Sequence, residues 1–333
     1  MKLRHVMATL AATLLTTSPA LAQSPAPIPS FQLERMELNP SGAGSLLVGT
    51  GEVPSAGTLR LSVLEYPEQA PLTFSRGEAG RSGVIKSWLT TQVLAAWSAT
   101  DRLEFALQLP LIASQDAVDL NHLGISSPSS SGLSTARVHA RLGLLEKREG
   151  SPVDLALDLG TGLPLGGNQS LARDEGLRFT PELMAGDAFG WVRVGLEVGL
   201  LLQPHIILSP QATAVRDEMG DELRFGASLS TTNTGLRGEV AVRGALPLVR
   251  SPASGEVFAG ARYAMAHGWE VFALGGMGLG NNPGTPKFRA MAGISFGSTG
   301  DDQSWDGHRR TEISLVSIQH SREDSPSAKV ALR

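Results

Sequence analysis

Asp154 and Asp158 are the two carboxylates whose spacing most invites a chemical reading, because residues four apart on an extended chain share a face. The preceding segment carries Arg137, His139 and Arg141 on one face of its own. As catalytic groups the aspartates would need an acid, a base and a substrate cleft; as an ion-pair cluster they need only neighbours. The second reading asks for less. The seven histidines are scattered, with His122 and His205 in separate loops, and no two share metal-ligand spacing on one element. His139 reads as one more polar group on its face. Gly275-Gly276-Met277-Gly278-Leu279-Gly280 matches a nucleotide-binding loop only in its glycines, since no helix follows. A lipase on a barrel wall would present serine and histidine together on an apolar face, and no segment does so. The chemistry expected is electrostatic, with no catalytic residues, no metal and no cofactor.

The elements that hold these charges are read from Trp191 to Leu202. Val192, Val194, Leu196, Val198, Leu200 and Leu202 fall on one face of an extended chain, while Trp191, Arg193, Gly195, Glu197 and Gly199 fall on the other. The stretch is long for a soluble strand, which averages about 5 or 6 residues. It suits a tilted membrane strand, which needs roughly 9 to 11. The pattern predicts lipid on the valine side and a polar barrel lumen on the arginine side.

The same two faces recur along the chain. Arg102, Glu104 and Gln108 oppose Leu103, Phe105, Leu107 and Leu109, and Glu222, Arg224 and Ser228 oppose Leu223, Phe225 and Leu229. Collected, Arg60, Glu104, Arg137, Arg141, Asp154, Asp158, Arg193, Glu197, Arg224, Arg237, Glu239, Arg243 and Arg262 are the predicted lumen-lining residues. Slipping the register by one residue would put arginines in lipid at roughly 2 to 4 kcal/mol each near the midplane. Thr90 and Thr91, Phe272 and Pro181 blur the pattern in three segments.

Met1 to Ala22 carries Lys2 and Arg4, an apolar run and Ala20-Leu21-Ala22, which predicts a cleaved signal peptide over 1–22. Without Lys2 and Arg4 the 28 basic residues become 26 against 32 acidic, a net of about −6, which argues against nucleic acid as a partner. The chain has no cysteine, which excludes a disulfide framework and thiolate metal sites. Of the basic residues 23 are arginine, whose fork suits paired charges in a crowded interior better than a solvated surface.

Residues 23–56 are rich in Pro, Ser and Gly and read as a periplasmic segment, an extra short hairpin or a segment entering the lumen. Twelve strands are predicted over 57–297, at 57–66, 85–98, 102–112, 136–147, 153–164, 177–186, 190–202, 222–231, 235–247, 256–266, 269–279 and 287–297. Connections after the even strands are tight and several after the odd strands are long, Pro67 to Val84 and Gln203 to Asp221 among them. That sorting is what an outer-membrane barrel has, its short turns periplasmic. Prolines at 67, 110, 164, 204, 247 and 283 are expected to end the odd strands, for want of an N–H. Residues 298–333 are a tail.

Tyr66-Pro67 through Pro71-Leu72, the strand ending Leu107-Gln-Leu-Pro-Leu111, and Gly284-Thr-Pro-Lys-Phe-Arg-Ala-Met-Ala-Gly293 carry a resemblance. The chain resembles, over about residues 31–297, the barrel region of OmpA-family outer-membrane proteins and the porin-like barrels assigned to phenol-degradation pathways. The resemblance implies an integral outer-membrane barrel. It departs at Ser134-Thr135, where members often have Gly-Asp, and in the tail, which is too short for the C-terminal peptidoglycan-binding domain many members carry.

The expectation is an all-β, twelve-stranded antiparallel transmembrane β-barrel with both ends periplasmic, in the outer membrane of a Gram-negative bacterium. Its partners would be outer-membrane lipid, the barrel-insertion machinery and small solutes. A passive porin-like channel is the first reading of its function; a non-conducting structural or surface-interaction barrel, closed by ion pairs or by the N-terminal segment, is the second.

Overall fold

The computed structural model describes residues 31–75, 81–117, 128–165, 171–174, 176–207, 218–280 and 282–298. The expectations for the signal peptide and for the tail after Ser298 lie outside these residues.

Alternating polarity builds twelve long strands: β1 (Leu59–Ser75), β2 (Arg81–Thr100), β3 (Leu103–Ala117), β4 (Ala136–Leu145), β5 (Asp154–Leu163), β6 (Arg178–Phe189), β7 (Val192–Leu201), β8 (Glu222–Thr231), β9 (Leu236–Pro247), β10 (Ser254–Ala264), β11 (Trp269–Gly280) and β12 (Phe288–Ser298). Each pairs antiparallel with its sequence neighbours, and β1 closes on β12 from Leu59↔Ser298 to Gln69↔Phe288. Closure leaves no sheet edge, the condition for a strand protein in a hydrocarbon medium. Short pieces decorate one end: Gly132–Leu133 pairs with β3, and Ile206–Ile207 pairs with Glu218–Met219.

The prolines do not all end strands. β1 runs through Pro67 and β3 through Pro110, and β6 contains Pro181. Each loses pairing on one side only, as a missing N–H requires. Pro67 faces Leu89 of β2, while the ladder to β12 skips from Glu65 to Glu68. Pro110 faces Gln92 of β2, beyond the last β3–β4 pair at Gln108↔Arg137. Pro181 faces Leu159 of β5, and the ladder to β7 begins only at Glu182. The expected long connection from Pro67 to Val84 is therefore mostly strand.

Outside, Leu61, Val138, Leu159, Leu196, Leu229 and Val240 are between 39% and 55% exposed. Inside, Glu104, Arg137, Arg141, Asp158 and Arg262 are each 2% exposed. This inverts the pattern of a soluble barrel. Two aromatic rings frame the apolar band. Trp97, Phe105, Phe189, Trp191, Tyr263 and Trp269 face out near the short turns, and Phe179, Phe225 and Phe288 face out near the other end. Trp97 stacks on Phe105 at 6.4 Å and Trp269 packs on Phe296 at 5.2 Å. Phe179 and Phe189 lie ten residues apart on β6. At about 3.3 Å per residue and a tilt of roughly 40° their separation along the barrel axis is about 25 Å, the height of a lipid-facing band.

Candidate functional site

Parity on the pleat sends Arg60, Glu104, Arg137, Arg141, Asp154, Asp158, Arg193, Glu197, Arg224, Arg237, Glu239, Arg243 and Arg262 into the barrel interior, where ten are under 10% exposed and the side chains of Arg193, Arg237 and Arg243 are 13% to 16% exposed. Arg102, expected on the same face, instead lies exposed on the β2–β3 turn and pairs with Glu149. Small residues make room for the long ones. Glu197, Gly226 and Arg243 face one another across β7, β8 and β9, and Glu197 reaches Arg243 at 3.0 Å over the glycine. A Cβ at Gly226 would stand 2.5 Å from that carboxylate.

The space these residues surround is occupied by residues 31–53 of the same chain. Near the long connections Gln32 bridges Ala172, and Arg178 Nη1 donates to Gln32 Oε1 at 2.7 Å. Near the short turns Arg193 pairs with Glu52 at 2.7 Å, and Ala56 N–H donates to Asp101 Oδ1 at 2.8 Å. Residue 31 thus lies at the end opposite the short turns, while the barrel wall itself begins at Leu59 and ends at Ser298 on the short-turn side. Between these anchors the segment turns at Asn39 to Ser45. Gly42 and Gly44 take left-handed φ values of 60° and 71°, and the Asn39 amide donates to the carbonyls of Ala43 and Ser45.

Wall charges hold this segment in four groups. Arg289 meets Glu34 at 3.2 Å, Glu68 at 3.3 Å and Glu256 at 3.4 Å, with the Tyr66 ring 5.3 Å away. Arg137, Arg224 and Arg243 gather around Glu37. Arg141 bridges Glu104 and Asp158, each at 3.2 Å, and donates to Ser41 Oγ, while His139 contacts Asp158 at 3.2 Å. Arg60 and Arg237 share Glu270, Arg262 donates to the carbonyls of Gly42 and Gly44, and Glu239 accepts from Ser45 Oγ at 2.5 Å and Leu46 N–H. Glu197 also accepts from Gly49 N–H at 2.8 Å, and Asp154 meets Arg193 at 3.4 Å. Apolar contacts complete the packing: Met36, Leu38, Leu46, Leu47 and Val48 lie against Leu64, Tyr66, Phe258, Phe272, Leu274 and Met291.

Sequence reading missed Glu34, Glu37, Glu68, Arg178, Glu182, Glu256, Glu270 and Arg289. Glu68 would have followed from parity once β1 was given its full length, and Glu256, Glu270 and Arg289 from parity within the predicted strands, since they alternate with exposed neighbours such as Val257 and Phe288. Glu34 and Glu37 sit in a stretch without period, and nothing local marks their partners.

The arrangement makes this a closed twelve-stranded antiparallel barrel of the outer-membrane type, with an ionic interior and an apolar wall. No family model matches the chain, so the OmpA-family part of the resemblance gains no support, and no curated relative matches. Among solved structures the chain is similar in fold to an outer membrane channel from Pseudomonas putida F1, at 14% identity and a TM-score of 0.54, covering 74% of this chain and 97% of that one. The NanC porin (9% identity, TM-score 0.45, 72% of this chain and 98% of that one) and a toluene transporter from Ralstonia pickettii (10%, 0.39, 79% and 98%) superpose more loosely and say nothing about the lumen.

Proposed function

We propose that the chain is a porin-like channel of a Gram-negative outer membrane that passes small solutes, with residues 31–53 closing the lumen at rest. It would contact outer-membrane lipid along its apolar wall, reach the membrane through the barrel-insertion machinery, and perform no enzymatic step. The observation that carries the reading is separability. The segment adds no strand to the wall: β1 closes on β12 without it, and among the described residues its one ladder-type contact with the rest of the chain is the isolated Gln32↔Ala172 bridge. It is held by side-chain hydrogen bonds, ion pairs and apolar contacts, so it can leave the lumen while the barrel stays closed. The degree of filling favours a second reading, a non-conducting structural barrel.

Planar-bilayer recording separates the two. The parent should conduct rarely or in small steps, and a chain with Ser45→Ala and Glu239→Gln should open about tenfold more often, because these changes remove the hydroxyl donor and the acceptor's charge that together fix the segment's central turn. Equal silence from parent and variant, both shown to be folded by heat-modifiable migration, would leave only the structural barrel.

A further inference from the structure

Glu37 brings a carboxylate from the segment up to three arginines of the wall, in a cavity that wall carboxylates Asp158, Glu182 and Glu197 also line. It lies 2.8 Å from Arg224 Nη1 and 3.6 Å from Arg137 Nε, and Arg243 donates to its backbone carbonyl. Arg224 and Arg243 also have carboxylate partners on the wall, Glu222 at 3.4 Å and Glu197 at 3.0 Å. Arg137 pairs with Glu37 and otherwise donates to the carbonyls of Met36 and Glu34, so its partners among the described residues all belong to the segment. A buried guanidinium needs an anion to offset its desolvation. Here that anion arrives on a piece of chain that forms no part of the wall.

The flanks of Glu37 narrow the chemistry further. Met36 and Leu38 belong to a buried apolar cluster with Leu64, Leu94, Phe258 and Phe272 of the wall. Two small cavities border the same point, one lined by Met36, Arg224 and Phe258, the other by Glu37 and Leu38; Arg243 lines both. The segment therefore offers the wall a carboxylate with apolar groups on either side.

We infer that Arg137 and Arg224 form a carboxylate-binding site in the lumen, filled by Glu37 in this structure and open to a carboxylate-bearing solute when the segment moves aside. The inference rests on the channel reading for the passage of that solute. A guanidinium pair reads the carboxylate by charge-assisted hydrogen bonds, and the apolar patch beside it fits an acid with an aromatic or aliphatic body.

Isothermal titration of detergent-solubilised full-length chain with sodium benzoate, sodium acetate and benzyl alcohol tests the site. Glu37→Gln should bind benzoate about tenfold or more tighter than the parent, since it takes the competing negative charge from the arginines without removing them. Benzyl alcohol should gain nothing, and adding Arg137→Gln should return benzoate binding to the parental level. Acetate matching benzoate would assign the site to small hydrophilic acids, and acetate falling behind would assign it to acids with an apolar body; each supports a carboxylate site. A Glu37→Gln chain that binds benzoate no better than the parent overturns it, as does an equal gain for benzyl alcohol or binding that survives Arg137→Gln. Should Glu37→Gln not refold unaided, its refolding yield with benzoate is compared with that in benzyl alcohol: rescue by benzoate alone supports the site and equal yields overturn it. Because binding is read in detergent, its failure leaves the conductance result standing, and a silent channel leaves the binding result standing.

Discussion

Arg289 and Arg102 carry the same charge in opposite settings. Arg289 is fully buried among Glu34, Glu68 and Glu256, whereas Arg102 meets Glu149 on a turn where both side chains are more than two-fifths exposed. Removing one partner of a buried ion cluster strands the others, at a cost of about 3 to 5 kcal/mol. Arg289→Met should lower the urea midpoint of the refolded barrel by that equivalent, and Arg102→Ala should leave the midpoint where it was. Equal effects would mean that the Arg289 cluster is solvated. The exposed pair has its own signature. The Arg102 guanidinium, by hydrogen bond and charge, holds the Glu149 carboxyl below the usual glutamate range. A depressed folded pKa contributes stability above the unfolded value and loses it as pH falls through the folded one. In Arg102→Ala, NMR titration of Glu149 should move up toward the ordinary value; an unmoved titration would contradict the pairing.

At the scale of the element, strand and segment differ in how their partners can be found. A strand's neighbours follow from order and its faces from alternation, so the twelve strands were legible from residue types. Element ends were less so. Proline was read as a stop signal at 67 and 110, but a strand tolerates it where only one neighbour needs the missing N–H. Phe272 looked like an interruption because it breaks the polar face of β11; it is inward and packs against the segment. The segment's role was beyond local reading because its contacts reach across the chain, as from Arg289 to Glu34 and from Arg262 to Gly42. Its turn gives an element-level test. Gly44 takes a left-handed φ and lies against Thr50 and Arg193, so Gly44→Val should loosen the segment. Trypsin cleavage after Arg35 in the folded barrel should then quicken severalfold, and unchanged protection would argue that the turn is not what holds the segment.

On the scale of the whole molecule, inversion of polarity and the two aromatic rings point to the same place, a wall in acyl chains and a core of paired ions. Charge on the wall's inner side also explains the arginine bias, since a bidentate fork can serve both a strand neighbour and the segment, as Arg141 does with Asp158 and Ser41. Arg193 and Arg237 lie in the lumen beside Glu52 and Glu270. Arg193→Ala and Arg237→Ala should each change the ion preference of any current, by a shift in reversal potential under a salt gradient. An unshifted potential in both would take those side chains off the path.

Ser228 and Leu229 are consecutive on β8, the first 3% exposed and turned inward, the second 52% exposed and turned outward. Ser228→Cys and Leu229→Cys, each carrying a fluorophore in chain refolded into bilayers with brominated acyl chains, give the most direct measurement of the account. Strong quenching at 229 with little at 228 is the predicted result, and the reverse, or equal quenching at both, would contradict a lipid-facing wall around an ionic lumen.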